Sequence, residues 1–565
     1  MHRKLLATAA AVAMAAAGVV GSTASAEGHH HGHGHQGQEG LPGGYKHLVV
    51  IYEENHSFDN LYGGWDRVGH DKVEGLAKVR NVTQVDQHGT AYGCLQQVDV
   101  NLSSPTPLST TCTDPAHNIA ASHFTNMPFR IDDYIKPEDK TCPAAGVFAV
   151  NGVLKDSPGA LPGGCTRDLV HRFYQEQYQL DHGKQDRYMS GSDAVGLTMG
   201  YYDTKQLPIY RYLHSQGAPH YVIADHFFQA AFGGSFLNHQ WLIAARSPLD
   251  TSPNDANGKN ASGATNSVID SNGMPNGAPN ANGEDSYPQY EPTGPVTDGQ
   301  LTQVCADDTS ANRADDACGD FAVNTIQPAS PPQSTSTVRL PLIDDAQYPN
   351  IGDELTDADV SWAWYSGGWA DAAAGHPGPL FQYHHQPFNY FANYAPGKPG
   401  RTHLQDETAF TAAVASGTLP TVSFVKPYGA ENEHPGYASE PNGSDHLVDL
   451  LDQITSGPEA DDTLVVVTYD EFGGQWDHVA PPGQGSKTRG AHDAWGPGTR
   501  IPALVLSSRM NRSGVDHTVY DTTSILAMIE SSFGLDALSS RDASVNDLSH
   551  AVEEGHKHEH GHPHR

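Results

Sequence analysis

Basic side chains are scarce in this chain: 32 Lys and Arg stand against 66 Asp and Glu, a formal charge of −34 over 565 residues. Such a surface repels nucleic-acid backbones and anionic lipid headgroups at long range, so a protein that grips duplex phosphates is a poor fit and no nucleic-acid partner is expected. A small anionic substrate stays compatible if a metal reverses the field locally. Cysteine is sparse too. The six (Cys94, Cys112, Cys142, Cys165, Cys305 and Cys318) lie outside the motifs described below and form no close C-x-x-C metal pair. After the first 26 residues no apolar run is long enough to span a bilayer, which argues against stable membrane insertion. The Asp/Asn/Gly-rich stretch at 250–295 lacks the spacing of a calcium-binding EF-hand loop.

What is present begins with an address. Met1-His2-Arg3-Lys4, a short Ala/Val-rich region and Ala24-Ser25-Ala26 before Glu27 describe a secretory signal peptide over residues 1–26, and hence an exported, extracellular protein. An oxidising compartment suits three local disulfides, 94–112, 142–165 and 305–318, as the expected choice among fifteen pairings. His/Gly-rich segments at 27–44 and 546–565 read as disordered tails. Their composition suits scavenging of Zn, Ni or Cu and suits inert solubilising tails equally well. Between them lies one large decorated domain, 45–545, with 250–295 as a surface insertion. Within it, apolar runs at 47–52, 221–225, 421–425, 464–468 and 501–507 read as strands. Segments at 207–215, 238–245, 444–454 and 522–533 read as helices. Their alternation implies an α/β fold, a mostly parallel sheet with helices on both faces.

Two strand ends carry the chemistry. His47-Leu48-Val49-Val50-Ile51-Tyr52 runs into Glu53-Glu54-Asn55, and Val465-Val466-Val467-Thr468-Tyr469 runs into Asp470-Glu471-Phe472-Gly473-Gly474, with Asp477-His478 beyond. Ligands bind at the carboxyl ends of strands in open α/β sheets. Glu54, Asn55, Asp470 and Glu471 offer oxygen donors there, which points to a divalent cation, with Ca, Mg or Mn favoured by ligand type. Glu53 is left out because strand alternation turns it away from Glu54. Ser235 follows Gly233-Gly234 immediately before a predicted helix, where glycines permit close approach of a phosphate and the helix N-terminus favours an anion. Metal coordination would activate its hydroxyl; the plainer reading is an ordinary helix N-cap. His434, His385 and His117 are candidates to hold a phosphoryl oxygen or to protonate a leaving group, with His384 ranked behind its neighbour because adjacent side chains diverge.

Together Tyr52-Glu53-Glu54-Asn55-His56-Ser57-Phe58-Asp59-Asn60, Gly233-Gly234-Ser235 with Asn238-His239, Glu433-His434-Pro435 and Asp470-Glu471-x-Gly-Gly-x-x-Asp477-His478 resemble the bacterial phosphoesterase family over roughly 45–540. That family joins acid phosphatases and bacterial phospholipases C, and is related in fold to alkaline phosphatase. The resemblance implies a three-layer α/β/α sandwich and a metal held by Glu54, Asn55, Asp470 and Glu471. It also implies Ser235 bridging metal and phosphorus through a phosphoserine, and His117, His385 and His434 around the phosphate. Phospholipase C members usually carry Gly-Pro-Thr followed by Pro-Asn-Arg at the nucleophile, whereas this chain has Gly-Gly-Ser followed by Phe-Leu-Asn-His. The departure favours the acid-phosphatase branch and a small phosphate monoester as substrate. Two alternatives remain: a phospholipase C acting on headgroup phosphodiesters, and a non-catalytic metal-binding surface protein.

Overall fold

Leu48-Val49-Val50-Ile51 and Leu464-Val465-Val466-Val467 are apolar without alternation, the composition of strands covered on both faces. In the computed structural model they form the centre of the sheet, and every one of these side chains is buried. At roughly 1.5–3 kcal/mol for each fully buried Val, Leu or Ile, this hydrophobic spine is a main source of stability. The structure describes residues 40–80, 82–86, 88–97, 124–149, 155–248, 330–333, 342–483 and 485–557.

Among the described residues eight strands build the main sheet: β1 (His47–Glu53), β2 (His220–Ala224), β3 (Trp362–Ser366), β4 (Leu404–Asp406), β5 (Val422–Lys426), β6 (Thr463–Tyr469), β7 (Ala503–Ser507) and β8 (Gly514–Asp516). Their order is β4-β3-β5-β1-β6-β7-β2-β8. Only β7 runs against the rest, pairing antiparallel with β6 and with β2. The helices pack in two groups. One joins α1 (Pro208–Leu213), α3 (Glu407–Ser416) and α4 (Glu440–Ser456); the other joins α2 (Ser235–Ala244), α5 (Thr523–Phe533) and the short helix Ile351–Asp357. The result is the expected α/β architecture, a largely parallel sheet flanked by helices.

Several boundaries differ from the sequence reading for identifiable reasons. α2 begins at Ser235 rather than near Asn238. α4 starts at Glu440, four residues early, because Ser439 Oγ caps it by accepting from the Asn442 N–H at 3.2 Å and Pro441 fits the first turn. The segment from 546 is not wholly a tail: Ser549–His556 forms a helix, α6, that buries Ala551 and Val552. Its His556 Nε2 lies 3.0 Å from the Tyr45 hydroxyl. At the other end Leu41 and Pro42 are already buried.

Cys142 and Cys165 form the expected disulfide, and Cys94 is also disulfide-bonded. Cys112, Cys305, Cys318, the stretch 1–39 and the insertion at 250–295 lie outside the described residues. Among the described residues no helix is long and apolar enough to cross a membrane.

Candidate active site

Parallel register at the sheet centre decides which side chains meet. Glu53 on β1 pairs with Tyr469 on β6, and Ile51 pairs with Val425 on β5. Glu54 and Asp470 therefore emerge side by side at the carboxyl ends of neighbouring strands, and Lys426, which follows Val425 and so lies level with Tyr52, reaches forward on the same face to Glu54. Glu53 turns the other way, towards the charge of Glu433.

The loops after these strands are held in conformations few residues tolerate. Asn55 has φ of 60°, and its N–H donates to Asp470 Oδ1 at 3.2 Å; the Glu471 N–H donates to the same oxygen at 2.8 Å. A Cβ at Gly473 (φ 62°) would lie 2.3 Å from the Asn55 carbonyl oxygen, so glycine is required there. The Gly473 N–H donates to Glu471 Oε2 at 2.6 Å.

Ser235 arrives from a distant strand. Residues 225–234 leave β2 and cross over the ends of β7 and β6, and Gly233 (φ 89°) passes so close to Phe173 that a Cβ would sit 2.5 Å from its backbone nitrogen. Gly234 occupies the cap position of α2, so Ser235 is the first helical residue and not the N-cap. Its Oγ lies 3.4 Å from Glu471 Oε1 and 3.5 Å from Asn55 Oδ1. The hydroxyl thus faces oxygen donors from both strand ends, at the positive end of a ten-residue helix.

Histidines close the other side. His385 Nε2 lies 2.7 Å from Glu54 Oε1, and His434 Nε2 lies 3.7 Å from Glu54 Oε2. The Asn55 side-chain N–H donates to His434 Nε2 at 2.9 Å, which leaves Asn55 Oδ1 aimed at Ser235. His384 does not diverge from the site as its rank implied: its ring packs edge-on against His239 and His385 at 5.1 and 4.6 Å. His117 lies outside the described residues. The other sequence-derived candidates (Glu54, Asn55, Ser235, His385, His434, Asp470 and Glu471) converge.

Sequence reasoning missed three groups. Lys426 Nζ is buried 2.7 Å from Glu54 Oε1. His239 donates through Nδ1 to the Ser235 carbonyl at 2.8 Å and lies 3.7 Å from Asp470 Oδ2. His171 Nε2 lies 3.3 Å from Glu471 Oε1. His239 had a signal, since i+4 places it one turn below Ser235 on the same face. Lys426 and His171 had none, because their positions depend on strand order and on a loop crossing.

The electrostatics leave this cluster short of positive charge. Burial drives Asp470 upward, and the negative charge of Glu54 adds to it; burial and the charge of Asp470 do the same to Glu471. Burial also opposes ionisation of Glu54, but Lys426, His385 and His434 hold it well below the usual carboxylate range. Burial pushes His434 down to about 3 and His171 to about 4, and lowers His239, His384 and His385. The rings are therefore neutral, with lone pairs to offer. Among the described residues, Asp470 Oδ2, His239 Nε2 and both nitrogens of His384 are buried without a hydrogen-bond partner, while Glu54 Oε1 is met by Lys426 Nζ and His385 Nε2. One atom each from Glu54, His239 and His385 lie within 4.8 Å of one another. These residues fit a divalent cation. The donor set is wider than the oxygen-only one that favoured Ca, Mg or Mn, since imidazole also suits Zn and Fe.

Asp477 and His478 stand apart from this cluster. Asp477 pairs with the buried Arg500, and His478 with Asp59 at 2.6 Å, in a network that clips the chain after β1 to the turn after β6.

Comparison with known proteins adds one decisive match. The model of the Phosphoesterase family fits residues 45–536. The chain belongs to the phosphoesterase family. That is a family of phosphoric ester hydrolases, in keeping with the enzyme class expected from the motifs. Similar proteins include a non-hemolytic phospholipase C of Burkholderia pseudomallei, 32% identical over 36% of this chain and 32% of that protein. Phospholipase C A of Mycobacterium tuberculosis is 23% identical over 90% of this chain and 76% of that protein. The first alignment thus spans only about a third of its relative's length. Among solved structures, an alkaline phosphatase superfamily protein from Vibrio parahaemolyticus aligns with a TM-score of 0.22 and 16% identity, over 35% of this chain and 50% of that one. A lipoteichoic acid synthase from Listeria monocytogenes aligns with a TM-score of 0.26 and 9% identity, over 59% and 67%. The fold of this phosphoesterase rests on its own sheet order.

Proposed function

We propose that this phosphoesterase is an exported enzyme that hydrolyses small phosphate monoesters, with Ser235 as nucleophile beside a divalent cation held by Glu54, Asn55, Asp470 and Glu471. The observation that carries the reading is the Ser235 hydroxyl, buried at a helix N-terminus within 3.5 Å of donors from both strand ends. A bound divalent ion supplies Lewis-acid polarisation of phosphoryl oxygen and eases ionisation of the serine hydroxyl. Ser235 Oγ attacks phosphorus as the ester P–O bond breaks, and Glu471 Oε1 is within reach of the departing hydroxyl proton. Water then cleaves the phosphoserine and restores Ser235. His385 and His434 face the two oxygens of Glu54 and lie around the phosphate in this reading; neutral at rest, each would take up a proton together with the dianionic ester and pass it to a phosphoryl oxygen or the leaving group. His117 joins them on motif resemblance alone. Lys426, together with the cation, suits the second negative charge that a monoester carries and a diester lacks.

The second reading, a phospholipase C, is favoured by the names of the relatives and by one observation of this chain. Exposed Phe148 packs 6.3 Å from His434 and 5.0 Å from Tyr437, so an apolar rim borders the site. Turnover of p-nitrophenyl phosphate against p-nitrophenylphosphorylcholine separates the two. Preference for the monoester is expected; turnover of the choline ester alone reverses the assignment.

A further inference from the structure

The register logic that assembles the active site operates again two strands away, beyond β6 and β7. β2 and β8 run parallel with Ala224 opposite Asp516, so Asp225 and His517 leave adjacent strand ends together. Asp225 is buried, and the two oxygens of its carboxylate are used differently. Oδ2 accepts the Glu74 backbone N–H at 2.7 Å. Oδ1 faces two imidazoles, His226 Nδ1 at 2.9 Å and His517 Nδ1 at 2.8 Å. The rings lie nearly perpendicular, 6.1 Å between centroids. All three donor atoms lie within 4.8 Å of one another. Solvent reaches the site from one side only, since His517 is 54% exposed, His226 20% and Asp225 not at all.

We propose that Asp225 Oδ1, His226 Nδ1 and His517 Nδ1 form a zinc site separate from the active centre, with solvent at the fourth position. Two imidazoles and one carboxylate are a donor set that zinc takes readily at about 2.0–2.2 Å. Two ring hydrogens now occupy the space between the donors, and an opening of about half an ångström would admit the ion. Each ring then carries its hydrogen on Nε2, and a charged ring gives up its second proton as zinc enters. The Glu74 N–H on the other carboxylate oxygen fixes the orientation of Asp225. Bound zinc would pin the end of β2, from which the Ser235 loop departs, to the loop after β8.

The test is thermal unfolding of the full chain, loaded with its active-site ion, across a zinc series. The parent is compared with His517→Ala and His226→Ala. Zinc bound equally by the folded and the unfolded chain stabilises nothing. Zinc held between β2 and β8 favours the folded state. The parent is expected to gain at least about 2 °C at a hundredfold excess over Kd, and both variants to gain none of it. His517 is half exposed, so its loss leaves a folded protein in which the shift can be read. An equal zinc shift in parent and variants, or no shift in the parent, overturns the proposal.

Discussion

Glu176 is the most instructive residue to change. It is fully buried on the helix Phe173–Leu180, and its carboxylate binds the Gly233-Gly234-Ser235 loop without touching Ser235. Oε2 accepts the Gly233 N–H at 2.6 Å and the Gln229 amide at 3.0 Å; Oε1 accepts the Thr499 N–H at 2.6 Å and its hydroxyl at 2.8 Å. Gln229 in turn accepts the Phe472 N–H at 2.9 Å, so one carboxylate ties the Gly-Gly-Ser turn to the Asp470–Glu471 turn. Glu176→Gln sets an N–H₂ group against a backbone N–H, leaving one buried donor unpaired at about 1–3 kcal/mol. Glu176→Ala strands both sides, about 2–6 kcal/mol on the same scale. A displacement of Ser235 of order 1 Å costs on the order of a hundredfold in rate. Glu176→Gln is therefore expected to lower kcat by roughly ten- to a hundredfold, with KM and divalent-ion affinity nearly unchanged. Burial pushes Glu176 up to about 7 against the pull of the Gly233 and Thr499 donors. Its contribution to stability is therefore full below its ordinary value of 4.5 and lost as pH rises through about 7, a decline that the glutamine variant lacks. Steady-state kinetics with denaturant unfolding decides the matter. A variant that loses stability while keeping the parent kcat refutes the positioning role.

Two further outcomes follow from the same geometry. Lys426→Met removes the buried cation beside Glu54 and is expected to cost about 3–5 kcal/mol in the chelated protein but markedly less with the divalent ion bound, because the ion meets the same charge; equal losses in thermal scans with and without metal contradict this. Burial alone would lower His478, but Asp59 raises it, and burial alone would raise Asp59, but His478 and Arg500 lower it. The pair therefore stabilises fully between the ordinary carboxylate and histidine values, weakens as acid protonates Asp59, and fades as pH rises past 6.5 through the raised value of His478. His478→Gln should flatten the alkaline part of the stability profile, and an unchanged profile refutes the pairing.

The halves of the active site were legible where chemistry sits next to a strongly patterned strand. Uninterrupted β-branched runs marked the strands, and their last residues announced Glu54, Asn55, Asp470 and Glu471. Strand adjacency was not legible, because nothing local in 422–426 says that β5 lies against β1. Lys426 was lost for that reason, although its place follows from register once the order β5-β1-β6 is known. His171 enters through a loop whose course is set by contacts far away in sequence. The start of α4 was hidden by Asn442-Gly443, which breaks the helical periodicity, and α6 was hidden by the histidines around Ala551 and Val552. Ser235 was read as lying just before a helix that starts near Asn238, whereas the helix begins at Ser235 itself with Gly234 as its cap.

Hydrolysis at this site, as proposed, requires one cation and one hydroxyl to meet at the ends of β1 and β6. A crystal structure of the metal-loaded enzyme soaked with vanadate tests this most directly. Vanadium bonded to Ser235 Oγ, with a cation bound by Glu54, Asn55, Asp470 and Glu471, is the predicted result. Vanadate held elsewhere, or a cation that leaves Glu54 and Asp470 unligated, contradicts it.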